Sequence, residues 1–158
     1  MPDSNQTKNS DDAQQLGAVF GFFNEIGIIN QLSSALFQKR LADGVTVAQF
    51  SVLNHLTRVK DGQTPLALTS AFQVPKTTMT HTLAGLEKRG LIEMKPNLED
   101  GRSKLVWLTP AGEKFRQQSI AALIEDMNRL KAQLDLPQML QAIPTLTKVR
   151  QVLDEDRD

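Results

Sequence analysis

The chain has 158 residues, no cysteine, and equal numbers of acidic and basic side chains, 18 of each. That length suits one ordinary domain or a small domain with a packing extension, and the lack of cysteine removes disulfides, thiol redox sensing and cysteine-ligated zinc. The neutral total hides a division: residues 1–12 carry −2, residues 154–158 carry −3, and residues 13–153 therefore carry +5, a mildly basic body of the kind that meets a polyanion.

Residues 1–12 are polar and are expected to form a disordered tail. No basic region followed by an apolar stretch stands at the N-terminus, so no secretion signal is expected. From Asp12 to Leu41, apolar residues at Leu16, Val19, Phe20, Phe23, Ile26, Leu32, Leu36 and Phe37 fall three and four apart, the spacing of an amphipathic helix. Gly17, Gly21 and Gly27 lower its intrinsic propensity. The apolar-leaning run 16–29 is too short and too polar to span a bilayer, and a cytoplasmic protein is expected.

Asp43-Gly44 ends the first helix, and Thr46 opens a capping box with Gln49. Val47, Phe50, Leu53 and Leu56 form the apolar face of the second helix, which breaks at Asp61-Gly62. Thr64-Pro65 is an N-cap followed by proline in the first turn; it opens a short third helix with Leu66, Leu68 and Phe72. A turn at Gln73-Val74-Pro75 leads to a fourth helix over about 75–89, with Met79, Leu83 and Leu86 inward and Gly90 as its C-terminal cap.

Residues 91–95 and 105–108 read as paired strands joined by a polar loop. Thr109-Pro110 repeats the cap-and-proline device and opens a long helix. After Leu136-Pro137 comes a last helix, which Pro144 is expected to kink or interrupt. The apolar stripes of the first and last helices meet either within one chain or across a dimer.

The expected fold is mainly α with a small β-hairpin wing: a winged helix-turn-helix over 46–109, flanked by helical dimerisation segments at 13–45 and 110–153, with an acidic tail at 154–158. A short helix with basic and hydroxyl residues on its outer face, next to a hairpin tipped with arginine, suits duplex DNA.

Three segments carry a family resemblance. L-E-K-R-G-L-I-E at 86–93, then D-G-R at 100–102, then L-T-P-A-G at 108–112 resemble, in this order and spacing, the MarR family of winged helix-turn-helix transcriptional regulators. The resemblance extends over roughly residues 15–153. It implies a homodimer with interlocked terminal helices, two winged lobes on a pseudo-palindromic double-stranded operator, and a repressor eased off DNA by a small aromatic effector.

Lys76, Thr77, Thr78, Thr80 and His81 occupy the first turns of the proposed recognition helix. The residue types suit base and phosphate contacts; the plainer reading is a solvated face with Thr77 or Thr78 as local caps. Arg102 at the wing tip is expected to enter a narrow minor groove, where negative potential is focused, with Asp100 holding its guanidinium; otherwise the two form an exposed turn ion pair. Lys95 and Lys104 flank the tip as phosphate contacts or as solvated lysines. Lys88 and Arg89 suit a helix C-terminus. Phe20, Phe23, His55 and Arg58 are candidates for an effector pocket, against core packing and ordinary surface roles. Trp107 is expected to pack against the wing or helix core.

No glycine-rich phosphate loop, H-E-x-x-H or nucleophile elbow is present, so neither an enzyme nor a cofactor or metal is expected. The competing class is a winged-helix dimer that acts as a protein-binding adaptor without sequence-specific DNA affinity.

Overall fold

A hydrogen bond from each side of one carboxamide fixes the first turn of the chain. Gln38 Nε2 donates to the Val45 carbonyl at 2.9 Å, and Gln38 Oε1 accepts from the Val47 N–H at 3.0 Å. Between these anchors, Asp43 and Gly44 both adopt left-handed backbone, at φ 56° and 66°, which reverses the chain between α1 (Ser4–Gln38) and α2 (Val47–Arg58).

The computed structural model describes residues 4–155. Among the described residues the order continues as α3 (Pro65–Phe72), α4 (Lys76–Lys88), β1 (Ile92–Pro96), β2 (Lys104–Leu108), α5 (Pro110–Gln133) and α6 (Leu136–Glu155). The mainly helical fold with one antiparallel hairpin agrees with the sequence reading. No helix among the described residues is long and apolar enough to cross a membrane.

Local chemistry explains most boundaries. Thr46 accepts from the Gln49 N–H at 3.2 Å while Gln49 Oε1 accepts from the Thr46 N–H at 3.0 Å, the reciprocal capping box. Thr64 Oγ1 accepts from the Ala67 N–H at the start of α3. At the end of α4, Gly90 has φ 69°. Its N–H reaches the Glu87 carbonyl, and the Leu91 N–H reaches the Leu86 carbonyl at 3.0 Å. This is the Schellman pattern, with Leu86 and Leu91 both buried as its apolar contact.

Several boundaries differ from the sequence reading. α1 begins at Ser4, so residues 4–12, expected to be disordered, are helical; residues 1–3 and 156–158 of the two expected tails lie outside the described residues. β1 starts at Ile92 rather than Leu91, because the Leu91 N–H closes the α4 cap and its carbonyl accepts from Thr109. Leu66 is 65% exposed, leaving Leu68 as the buried residue of α3. α6 runs through Pro144 without interruption, so proline removes one helical donor there without ending the helix.

Backbone contacts divide the chain into residues 1–119 and 120–158. The first unit holds the core: Phe50, Val52, Leu53 and Leu56 of α2, Leu68 of α3, Met79, Leu83 and Leu86 of α4, Ile92 and Val106 of the hairpin, and Phe115 of α5. Its register pairs Ile92 with Leu108, Met94 with Val106 and Lys95 with Leu105. A bridge between Gln63 and Val106 adds a third, one-residue edge to the sheet, which the sequence did not reveal. In the second unit, α6 exposes Met139, Leu140, Ile143 and Leu146. Asp126 of α5 is buried and pairs with Arg129 at 3.1 Å.

Candidate nucleic-acid interface

α4 stands up from the core on Met79, Leu83 and Leu86, all nearly inaccessible. Spacings of four and three put them on one stripe, which fixes the opposite face as the solvent face. Lys76, Thr77, Thr80, His81 and Ala84 border one shallow exposed surface there, and Thr78 is exposed beside them. Part of the hydroxyl chemistry is already committed: Thr80 Oγ1 donates to the Lys76 carbonyl at 2.8 Å, and Thr82 Oγ1 donates to the Thr78 carbonyl at 2.9 Å. Thr80 thus keeps only its lone pairs for an outside partner.

Neither Thr77 nor Thr78 caps the helix, against the plainer sequence reading. The N-cap is Pro75, with no side-chain cap hydrogen bond. The first turn of α4 therefore has no side-chain cap from its N-cap residue, and free amides at a helix N-terminus are the kind of group that receives a phosphate. The entering chain is set by Gln73, whose left-handed backbone (φ 55°) ends α3.

The wing turn is closed by its own hydrogen bonds. The Asn97 N–H donates to the Ser103 carbonyl at 3.0 Å, the Ser103 N–H to the Asp100 carbonyl at 2.9 Å, and Asn97 Nδ2 to Ser103 Oγ at 3.0 Å. Asp100 acts differently from expectation. Its Oδ1 accepts from the Arg102 backbone N–H at 3.1 Å. The carboxylate shapes the turn, as an aspartate two residues upstream commonly does, and does not hold the guanidinium. Among the described residues the Arg102 guanidinium has no ion-pair partner, and the side chain is exposed.

The two flanking lysines are not equivalent. Strand side chains alternate faces. Lys95 pairs in register with Leu105 and Lys104 with Pro96, so Lys95 and Lys104 project from opposite faces of the hairpin. Lys104 shares the face of Val106, which packs toward the helical core. Lys95 shares the outer face with Leu105 and Trp107 and meets Glu93 at 2.6 Å.

The wing root rests on Asp61-Gly62. Asp61 Oδ1 accepts from the Gly62 N–H at 2.9 Å and from the Leu108 N–H at 3.0 Å. Gly62 has φ 68°, and a Cβ there would lie 2.5 Å from the Trp107 ring. Trp107 thus packs over the α2–α3 connection, close to what the sequence led us to expect. Arg89 reaches back to the Gly44 carbonyl at 3.2 Å, a structural role. On α2, His55 packs against Phe72 with ring centroids 5.2 Å apart, and its Nε2 is buried without a partner. Phe23 meets Phe22 edge-on, Phe20 is 71% exposed, and Arg58 is exposed. The contacts of His55 and Phe23 are with these neighbours and not with each other.

The MarR family model matches residues 43–103, from the α1–α2 turn through the wing tip. Transcriptional regulator HosA of Escherichia coli O157:H7 is 33% identical over 98 residues, covering 62% of this chain and 71% of that protein. Among solved structures, a mutant MarR from E. coli complexed with operator DNA matches with a TM-score of 0.73 at 27% identity, covering 84% of this chain and 95% of that one. A probable transcriptional regulator from Pseudomonas aeruginosa matches with a TM-score of 0.69 at 28% identity, covering 82% and 95%.

Proposed function

This chain belongs to the MarR family of transcriptional regulators, and we propose that it binds a pseudo-palindromic DNA operator as a homodimer and represses transcription from it. Members of the family are not enzymes, and the work assigned here to side chains is recognition. Lys76, Thr77, Thr78 and His81, with the acceptor side of Thr80, meet base edges and phosphates in a major groove. Arg102 enters the flanking minor groove, and Lys104 neutralises a phosphate beside it. The two recognition helices contact the duplex about 10 bp apart.

The observation that carries this reading is the pairing of an uncapped, exposed α4 N-terminus with an unpaired arginine on a hydrogen-bonded wing. Both features present positive potential on hydrogen-bonded backbone, and the related MarR complex holds operator DNA. The dimer is supported by the apolar residues that α1 and α6 expose, among them Leu16, Val19, Phe20, Leu140 and Ile143. Release by a small aromatic effector is part of the proposal, with Phe20, Phe23, His55 and Arg58 as its contacts, as is a cytoplasmic location. An effector acts only through a difference in affinity between two lobe arrangements.

The zero net charge favours one competing reading, a protein-binding adaptor. Selection of fragments from a random duplex pool, followed by anisotropy across a salt series, separates the two. Operator binding yields an enriched pseudo-palindrome and an affinity that falls with salt at a log–log slope of about −0.9 per phosphate neutralised. No enriched sequence and a flat salt response would overturn the DNA reading.

A further inference from the structure

Three Asp-Gly pairs lie in the chain, at 43–44, 61–62 and 100–101, and the fold treats them differently. An aspartate followed by glycine can isomerise without a catalyst, because glycine has no side chain to keep its amide nitrogen from the neighbouring carboxyl carbon. Two conditions decide whether it does. The glycine N–H must be free, and the backbone there must be able to open.

At 61–62 neither condition holds. The Gly62 N–H donates to the Val106 carbonyl at 3.1 Å and to Asp61 Oδ1 at 2.9 Å, and Oδ1 also accepts from the Leu108 N–H. Both residues are half-buried. At 43–44 both residues are exposed, but both are set in left-handed backbone. That turn is closed by the Val45 N–H on the Ala42 carbonyl and tied by Gln38 to Val45 and Val47. Asp100 and Gly101 are exposed at the wing tip. The hydrogen bonds there use the Asp100 carbonyl and Oδ1 and the amides of Arg102 and Ser103. The Gly101 N–H has no partner among the described residues. The bond from the Arg102 N–H folds the Asp100 carboxyl back along the main chain, over the peptide that holds the Gly101 nitrogen. A Cβ on Gly101 would meet nothing within 4 Å, so a ring has room to close.

We propose that Asp100 is a site of spontaneous isoaspartate formation, which disables the wing as the protein ages. The Gly101 nitrogen attacks Cγ of the Asp100 carboxyl in its acid form. An N–Cγ bond forms, the carboxyl hydroxyl and the amide proton leave as water, and a cyclic imide results. Water then adds to the former backbone carbonyl of Asp100 and breaks its bond to the Gly101 nitrogen. Mass is unchanged, and water is the one co-reactant. The main chain now runs through Cβ and Cγ, and the old carbonyl carbon is a free carboxylate. The backbone carbonyl that accepted from the Ser103 N–H is gone from its place, so the turn before Arg102 loosens. On the operator reading, on which this consequence alone rests, the aged wing no longer places Arg102. The new carboxylate is the group that a methyltransferase specific for isoaspartyl ends would modify.

The test keeps the full chain for several weeks in warm neutral buffer and maps its peptides by electron-transfer mass spectrometry, whose fragments separate isoaspartyl from aspartyl linkages. The expected result is isoaspartate at 100 in at least about fivefold excess over 43 and 61. Gly101→Ala, whose methyl group meets nothing, slows its accumulation by about tenfold. The aged parent loses about tenfold in operator affinity, and aged Gly101→Ala keeps it. No isoaspartate at 100, equal amounts at the three pairs, or an unchanged rate in Gly101→Ala would each overturn the proposal. Isoaspartate at 100 with full operator affinity would overturn the disabling of the wing. Because the mapping uses no DNA, failure of operator selection leaves the modification site standing, and failure of the mapping leaves the operator reading untouched.

Discussion

Gly112 lies directly on the carbonyl of Leu91, with no space for a Cβ between them and with the Leu108 side chain beside it. Around this contact, Thr109 Oγ1 donates to the Gly90 carbonyl at 2.7 Å and accepts from the Gly112 N–H at 3.0 Å, while the Thr109 N–H donates to Leu91. The start of α5 is thus pressed against the junction of α4 and β1. Gly112→Ala must push backbone apart and is expected to destabilise the fold by about 2–4 kcal/mol. Gly101→Ala, whose new methyl group would meet nothing within 4 Å, is expected to stay within about 0.5 kcal/mol of the parent. Urea unfolding of the two variants checks the contrast.

Arg102→Ala is expected to lower operator affinity by about tenfold to a hundredfold and to reduce the salt slope by about one unit, with fold and dimer intact. Anisotropy at several salt concentrations measures both quantities. Unchanged affinity would remove the wing from the recognition surface.

Asp100 offers a sharper distinction, because its Oδ1 accepts from backbone. Asparagine keeps an oxygen acceptor in that place, so Asp100→Asn is expected to bind operator within about twofold of the parent, whereas Asp100→Ala loosens the turn and loses about fivefold. If both variants lose affinity equally, the negative charge itself matters and the backbone account is wrong.

Lys95 and Lys104 project from opposite faces of the hairpin. Lys104→Ala should lower the salt slope by about one unit, and Lys95→Ala should leave it unchanged. The reverse pattern would mean that the outer face of the hairpin is the one toward the duplex.

For the dimer, Ile143→Glu places a charge on the exposed apolar face of α6. It is expected to give a monomer at micromolar concentration in sedimentation, with operator affinity reduced at least about tenfold, since each protomer then holds one half-site alone. A dimer that survives this change would direct the search for the interface to α1.

What the sequence revealed and what it hid divide along a physical line. The Thr46–Gln49 box, the Thr64-Pro65 start and the glycine at the end of α4 were legible because each is decided by residues a few positions apart. The hairpin was legible as a hairpin, but not its register. A shift of one residue exchanges faces, so the separation of Lys95 from Lys104 required the pairing itself. Asp100 was readable as a partner of Arg102, but spacing cannot say whether a carboxylate meets a side chain or the backbone beneath it. The roles of Gly62 and Gly112 were hidden for the plainest reason: each is defined by an atom distant in sequence, the Trp107 ring and the Leu91 carbonyl. The burial of His55 Nε2 against α3 was beyond reach in the same way.

The motif L-E-K-R-G-L-I-E and the motif L-T-P-A-G meet at Gly90, Leu91, Thr109 and Gly112. The letters by which the chain is recognised are therefore the letters of a joint, where one helix ends, a strand leaves and the next helix departs. The side chains turned toward solvent on α4 take no part in that joint. On the proposed reading, kinship and address are written in separate residues: a new set of outward side chains at 76–81 is expected to give a protein that folds as this one does and answers to a different stretch of DNA.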